Sequence, residues 1–573
     1  MKIILYFLFF SFNHFVLSQD KYIDYVSPYT PIPGSSGMVV SQNNLSSDIG
    51  IEILNKGGNA VDAAVAVGFS LSITLPRAGG IGGGGFMLVY LEKNKEIFFI
   101  DYRSKSPLNT KLKDIFKYDL IDDYKKIDFN KIREGYKAAA MPGTVAGLLD
   151  AHANFGVLTL EEILEPVIKL ANDGIYVSND LHQAIKNSKK LKKDNESKRI
   201  YYKNGQSIQE GSLLKRPDLA RTLSLISSKG KDGFYKGETQ EKFIKAMEEN
   251  NGFISSDDFA SYKTNIGSPL ISSYRGNYVF SAGPPSGGGL VVSTSLNILN
   301  GFNLNKYGSN SAATYHLLAE ALRRGHNNRS HHMGDPNYYN VPMNTLLSKE
   351  RTLEFIKTIN LKKATKSSKI KPLDIKNESR NTTHYSIIDK DGNAVSNTFT
   401  LGYSFGSGVT VPGTGVLLNN QMGNFAYRYG DSSVQGRAGS LANKYEPGKR
   451  PMSTMAPTMV FNSNKELMLI TGSPGGSTIP ASILRVISGI VDFKLDIGAA
   501  TMLPRVHKDW PYKGLDYETT ISKDTLSILD NFGHNLEPDK TIGSTQSIHI
   551  IDGIRYGYSD LRRPNASVAA QIN

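Results

Sequence analysis

The chain has 573 residues, 39% hydrophobic and 21% charged, which fits a folded protein with room for a large core and excludes a disordered or collagen-like one. It has no cysteine, so disulfides, thiol nucleophiles and cysteine-ligated metals are excluded. The net charge of +13 is spread over 186–198, 362–371 and 428–450, none of which combines with an interleaved aromatic platform or a recognisable recognition motif, which argues against a nucleic-acid partner.

Lys2, a nearly unbroken apolar run over 3–12 and Val16-Leu17-Ser18 have the layout of a secretory signal peptide cut after Ser18. The run is too short, and too soon broken by Asn13 and His14, to be a stable membrane span. An exported chain, periplasmic or extracellular, is expected. Pro28, Pro31 and Pro33 mark a loose lead-in. Apolar spacing predicts a helix from residue 47, a break at Gly57-Gly58 and a second helix from Asn59 to 68. A glycine run over 79–85 feeds a strand over 86–91. Thr159 and Glu162 form a capping box ahead of a helix that buries Ile163, Leu164, Val167, Ile168 and Leu170.

A charged surface region is expected over 185–218, a helix over 312–324 and a solvated, lysine-rich stretch over 348–379. The period then changes to two, with a strand over 383–389, a tight turn at Asp391-Gly392 and a return strand over 394–401. Short strands follow over 416–418, 459–461, 467–470 and 548–551. Strands interleaved with helices in both halves predict layered α/β structure.

The chemistry concentrates where the lysine-rich stretch meets this hairpin. If the Asn381–Thr382 bond opens, Thr382 gains a free α-amine beside its hydroxyl. An α-amine with a pKa of about 8 can take the hydroxyl proton near neutral pH, which puts nucleophile and base on one residue. A three-residue loop at Lys390-Asp391-Gly392 sets Thr382 opposite Thr400 on one face, whereas a two-residue loop separates them; the sequence leaves both open.

Three other motifs lack the context their chemistry needs. The G-x-S-x-G match at 402–406 has no helix after it. The G-x-G-x-x-G match at 80–85 follows a helix and precedes a strand, the reverse of a dinucleotide site. His331 and His332 with Asp335 have no clean ligand spacing, and the two histidines read as surface residues. Neither a metal nor another cofactor is expected.

The Thr382-Thr383-His384-Tyr385-Ser386 stretch resembles the start of the small subunit of γ-glutamyltransferases. Residues 57–64, 82–86, 101–103, 142–147, 449–455, 471–477, 543–547 and 559–560 resemble further motifs of that family in the same order. The resemblance implies an αββα sandwich of the N-terminal-nucleophile hydrolase type. It also implies a precursor that cuts itself into a large subunit, 19–381, and a small one, 382–573, which together form one domain. Thr382 is then the nucleophile, Thr400 the hydroxyl that supports it, and the amides of Gly475 and Gly476 the oxyanion hole. Arg103, Ser453 and Thr454 match residues on the donor's α-carboxylate. The implied partners are a γ-glutamyl donor such as glutathione and an amino-acid or peptide acceptor.

The departures cluster at the donor's α-ammonium end. In the segment Gln421 to Phe425, Asn424 replaces an aspartate of the family pattern, and Gly402 stands where bacterial members have an asparagine. Gln435 falls at a lid tyrosine. Thr454 replaces a serine and keeps the hydroxyl. Two alternatives follow: an acylase for glutaryl-type groups, and an exported binding protein that kept the fold without the chemistry.

Overall fold

The hairpin predicted across 383–401 lies at the centre of the fold. The computed structural model describes residues 29–118, 128–370, 382–427, 440–512, 514–539 and 541–571. The expected signal peptide, Asn381 and Gln435 lie outside the described residues. Strands Thr383–Ile388 and Ala394–Thr400 pair antiparallel, with Thr383 opposite Phe399 and Ile388 opposite Ala394. The Asp389 amide donates to the Asn393 carbonyl at 3.0 Å, so the loop is the three-residue one.

Two seven-stranded sheets face each other. The first runs, in spatial order, Ser567–Ala570, Met38–Ser41, Thr383–Ile388, Ala394–Thr400, Gly84–Leu91, Glu96–Tyr102 and Asn265–Gly267. The second runs Ile32–Gly34, Ile554–Ser559, Gln546–Ile551, Leu467–Thr471, Thr458–Phe461, Asn277–Ser281 and Leu270–Tyr274. Each sheet therefore mixes strands from before and after residue 382.

The period-two pattern assigns the two faces of the hairpin. Tyr385, Ile387, Val395 and Phe399 enter the core beneath the helices Ala60–Thr74, Thr144–Phe155 and Leu160–Asp173. Ile388 and Ala394 point between the sheets, joining Phe86, Leu88, Met459 and Ile470. On the far side of the second sheet lie Gly287–Leu299, Ala312–His332 and Ile479–Val491. The order is helix, sheet, sheet, helix, the αββα sandwich.

The helix Ala60–Thr74 is capped as its sequence requires: the Asn59 side chain accepts from the amides of Val61 and Asp62. All its residues are buried, as suits a helix apolar on every side. The Thr159 box also forms, with the Thr159 amide donating to Glu162 at 2.8 Å. Its helix buries Ile163, Leu164 and Val167 fully, and Ile168 and Leu170 only in part. The glycine run makes a close crossing: a Cβ at Gly82 would overlap the Leu417 carbonyl, and one at Gly83 the Thr400 carbonyl.

Three expectations change. The charged segment 185–218 packs against the core through buried Leu191, Tyr201 and Arg216, because its lysines alternate with apolar anchors. The helix from Ala312 extends to His332, beyond the apolar pattern, because its last turns bury polar side chains in place of aliphatic ones. Residues 348–370 form the helix Lys349–Lys357 and then pack, with Phe355 and Ile370 buried and the Thr365 amide donating to Glu320. Among the described residues no helix is long and apolar enough to cross a membrane.

Candidate functional site

Carried one residue past Thr383, the hairpin register sets Thr382 opposite Thr400, both buried and both on the inter-sheet face. The Thr400 hydroxyl accepts from the Gly402 amide at 2.9 Å. The Thr400 carbonyl accepts from Gln421 Nε2 at 2.7 Å, which brings the 3₁₀ turn Gln421–Asn424 against the strand end. Gln421 Oε1 and Asn424 Oδ1 are both buried and have no hydrogen-bond donor among the described residues.

Asn443 links this turn to the next element. It donates to the Asn424 carbonyl at 2.8 Å and accepts from the Met452 amide at 2.9 Å. Ser453 and Thr454 follow, both buried. Arg103, fully buried at the end of Glu96–Tyr102, donates from Nε to the Pro451 carbonyl at 3.2 Å. The loop 450–454 is pinned on the other side by an ion pair, 3.3 Å long, between Arg450 and Asp101. Thr382, Thr400, Gln421, Asn424, Arg103, Ser453 and Thr454 are thus joined through consecutive contacts.

Gly475 and Gly476 arrive from the other sheet. They follow the strand Leu467–Thr471 and lead into the helix Ile479–Val491. Gly475 has φ +137° and Gly476 φ +61°, conformations that favour glycine. Among the described residues neither amide donates to a backbone carbonyl, and the helix behind them adds its positive end. Gly472, three residues earlier, packs so closely on His384 that a Cβ there would run into the imidazole.

His384 was legible as part of a motif but not as a hinge of the site. Its Nδ1 lies 2.8 Å from Thr398 Oγ1 and its Nε2 3.1 Å from Ser386 Oγ. Burial pushes its pKa down to about 3, so the ring is neutral. Asn419 was missed as well. Its side chain donates to the carbonyls of Gly82 and Ala140, both at 2.7 Å, and accepts from the amides of Ala140 and Gln421, both at 3.0 Å. The available signal was a polar run, 419–421, directly after an apolar strand.

Gly402 has φ +101°, and an added Cβ would collide with Asn420 Oδ1, which accepts from the Tyr403 amide at 2.9 Å. The glycine is therefore required by its neighbour. No helix follows Gly406; a turn and the strand Thr410–Val411 do. His331 and His332 are half-buried rather than on the surface, because the last turn of their helix packs on Trp510, 4.9 Å from the His331 ring.

The family model described as Gamma-glutamyltranspeptidase matches residues 46–570. The chain belongs to the γ-glutamyltranspeptidase family. It is 40% identical to the glutathione hydrolase proenzyme of Escherichia coli (strain K12), over 93% of this chain and 92% of that one. It is 34% identical to the acylase ACY 1 proenzyme of Pseudomonas sp. (strain SE83), over 90% of this chain and 89% of that one. Its fold superposes on a cephalosporin acylase from Bacillus halodurans with a TM-score of 0.84 at 26% identity, covering 97% of this chain and all of that one. As a member of this family it has the N-terminal-nucleophile hydrolase fold.

Proposed function

We propose that this chain is an exported precursor that cuts itself before Thr382 and then cleaves γ-glutamyl amides such as glutathione, passing the γ-glutamyl group to water or to an amino acid or peptide. The hairpin register carries this reading, because it brings the hydroxyls of Thr382 and Thr400 to one strand end. After the cut, the new α-amine of Thr382 takes the proton from Oγ as Oγ attacks the γ-carbonyl carbon. The developing oxyanion is met by the amides of Gly475 and Gly476; a donor in such a position is worth about 3–4 kcal/mol. The tetrahedral adduct collapses, the amide nitrogen leaves with the proton held by the amine, and an ester to Thr382 remains. Water or an acceptor amine then attacks that ester.

Arg103, Ser453 and Thr454 bind the donor's α-carboxylate, a planar anion for which a guanidinium is well shaped. Gln421 Oε1 and Asn424 Oδ1 face the α-ammonium, whose N–H groups supply the donors they lack. This also weighs the acylase reading: a glutaryl group brings the carboxylate but leaves both oxygens unsatisfied.

The test is a denaturing gel with N-terminal sequencing. Wild type gives two fragments, the smaller beginning Thr-Thr-His-Tyr, and Thr382→Ala gives one band. Splitting of that variant at the same bond overturns the nucleophile assignment. Splitting of wild type without turnover of either a γ-glutamyl or a glutaryl anilide favours a binding protein.

A further inference from the structure

The last turns of the helix Ala312–His332 bury a polar cluster that the reaction does not use. His326 is fully buried. Its Nδ1 stands 3.3 Å from Asp509 Oδ1 but off the hydrogen-bond line, and its Nε2 has no hydrogen-bond partner among the described residues. The ring of His507 meets it edge-on, with centroids 5.3 Å apart. One ligand atom from each of His326, His507 and Asp509 falls within 4.8 Å of the other two.

We propose that His326, His507 and Asp509 form a site for a divalent transition-metal ion of the Zn²⁺ type. Bonds of about 2.0–2.1 Å in a tetrahedron set ligand atoms about 3.3–3.4 Å apart. The His326–Asp509 pair already has that spacing, and the His507 nitrogen, within 4.8 Å of both partners, has to move closer by side-chain rotation. Two imidazoles and a carboxylate suit zinc and its neighbours better than magnesium or calcium, which prefer oxygen ligands.

The surrounding charge sharpens the choice. Arg329 Nη2 lies 3.7 Å from Asp509 Oδ1, and Lys508 is buried next in sequence, donating to the Gly514 carbonyl at 2.6 Å. The Arg329 guanidinium opposes an ion held by charge alone, so the imidazole bonds must supply the affinity. Asp509 Oδ1 itself accepts from the Trp510 amide at 2.7 Å, which fixes the position of that oxygen. Its side chain keeps 15% of its surface exposed, a route for the ion and for a water in the fourth position.

His326 precedes residue 382, and His507 and Asp509 follow it. If the cut before Thr382 occurs as proposed, the ion bridges the two fragments; the site itself needs no cut. Arg329 connects the cluster to the functional site, because its side chain packs against Gly287, whose amide donates to the Ser453 carbonyl at 2.7 Å.

The experiment is metal binding by the purified full chain, stripped with a chelator and then titrated with Zn²⁺ alone, with Co²⁺ absorption as the geometric readout. The expected result is a single bound ion per chain, a tetrahedral cobalt spectrum and a raised thermal midpoint. His326→Gln and Asp509→Asn should each weaken binding by at least about tenfold while leaving the circular dichroism unchanged. His331→Gln with His332→Gln should bind as wild type does. Thr382→Ala should bind equally, cut or uncut, so a failure of the site is distinguishable from a failure of the cleavage reading. Wild type that takes up neither ion, or binding undiminished by both His326→Gln and Asp509→Asn, overturns the site.

Discussion

At position 424 a neutral amide stands where the family pattern has a carboxylate, and the structure says what that exchange costs. Asn424 Oδ1 is buried without a donor among the described residues, so it can accept one N–H from an ammonium but carries no charge to attract it. Restoring the charge should strengthen that bond by about 1–2 kcal/mol, on the order of tenfold in kcat/KM. Asn424→Asp should therefore raise the ratio of γ-glutamyl to glutaryl anilide turnover by roughly that factor. An unchanged ratio removes Asn424 from the ammonium pocket. The same reasoning does not apply at Gly402, where a side chain meets Asn420 and forces a positive φ onto a residue with a Cβ. On the proposed reading, donor recognition is therefore adjusted at 424, not at 402.

The hairpin is the element on which the proposed chemistry rests, and Asp389 holds it in register. Its Oδ1 accepts from the amides of Asp391, at 3.0 Å, and Asn393, at 2.9 Å. Its Oδ2 accepts from Asn393 Nδ2 at 2.9 Å and from the Ala60 amide at 3.0 Å. One carboxylate thus closes the three-residue loop and anchors it to the helix Ala60–Thr74. Asp389→Ala strands the buried Ala60 amide, at a cost of about 1–3 kcal/mol, and frees the loop amides of Asp391 and Asn393 to water. It should lower the thermal midpoint and slow conversion to two fragments, with Asp389→Asn milder on both; conversion at the wild-type rate would show that the clamp does not set the position of Thr382. The sequence left the loop length open because Asp391-Gly392 fits either turn, and what decides it is Asp389, whose contact with Ala60 spans the fold. The Thr159 cap was legible because its partners are three residues apart, and the helix Ala60–Thr74 because its apolar run is continuous. The packing of 185–218 and 348–370 was not, since lysine-rich composition hides a few buried anchors such as Tyr201 and Phe355.

On the scale of the whole molecule, both sheets interleave strands from either side of residue 382, so a cut there leaves two fragments held by shared hydrogen-bonded ladders. Between those sheets the site end is polar: Ser386 donates to the Gln546 carbonyl at 2.9 Å, Ser396 to the Thr471 carbonyl at 3.1 Å, and His384 sits among them. That choice has a pH signature. His384 stays neutral in the folded protein down to about 3 because of burial, whereas an exposed histidine in the unfolded chain protonates near 6.5. The folded pKa of this base is depressed, so its contribution to stability is complete above pH 6.5 and is lost as pH falls toward 3, at about 1.4 kcal/mol per unit. Buried carboxylates titrate in the same range, so the histidine is isolated by difference. His384→Gln keeps a hydrogen-bonding side chain that cannot protonate. Between pH 7.5 and 5 the urea stability of wild type should fall by about 2 kcal/mol more than that of the variant, whatever the variant's stability at neutral pH. Parallel curves would mean that the imidazole between the sheets already shares a proton with solvent, and that the layer joining Thr382 to Gly472 is open to water.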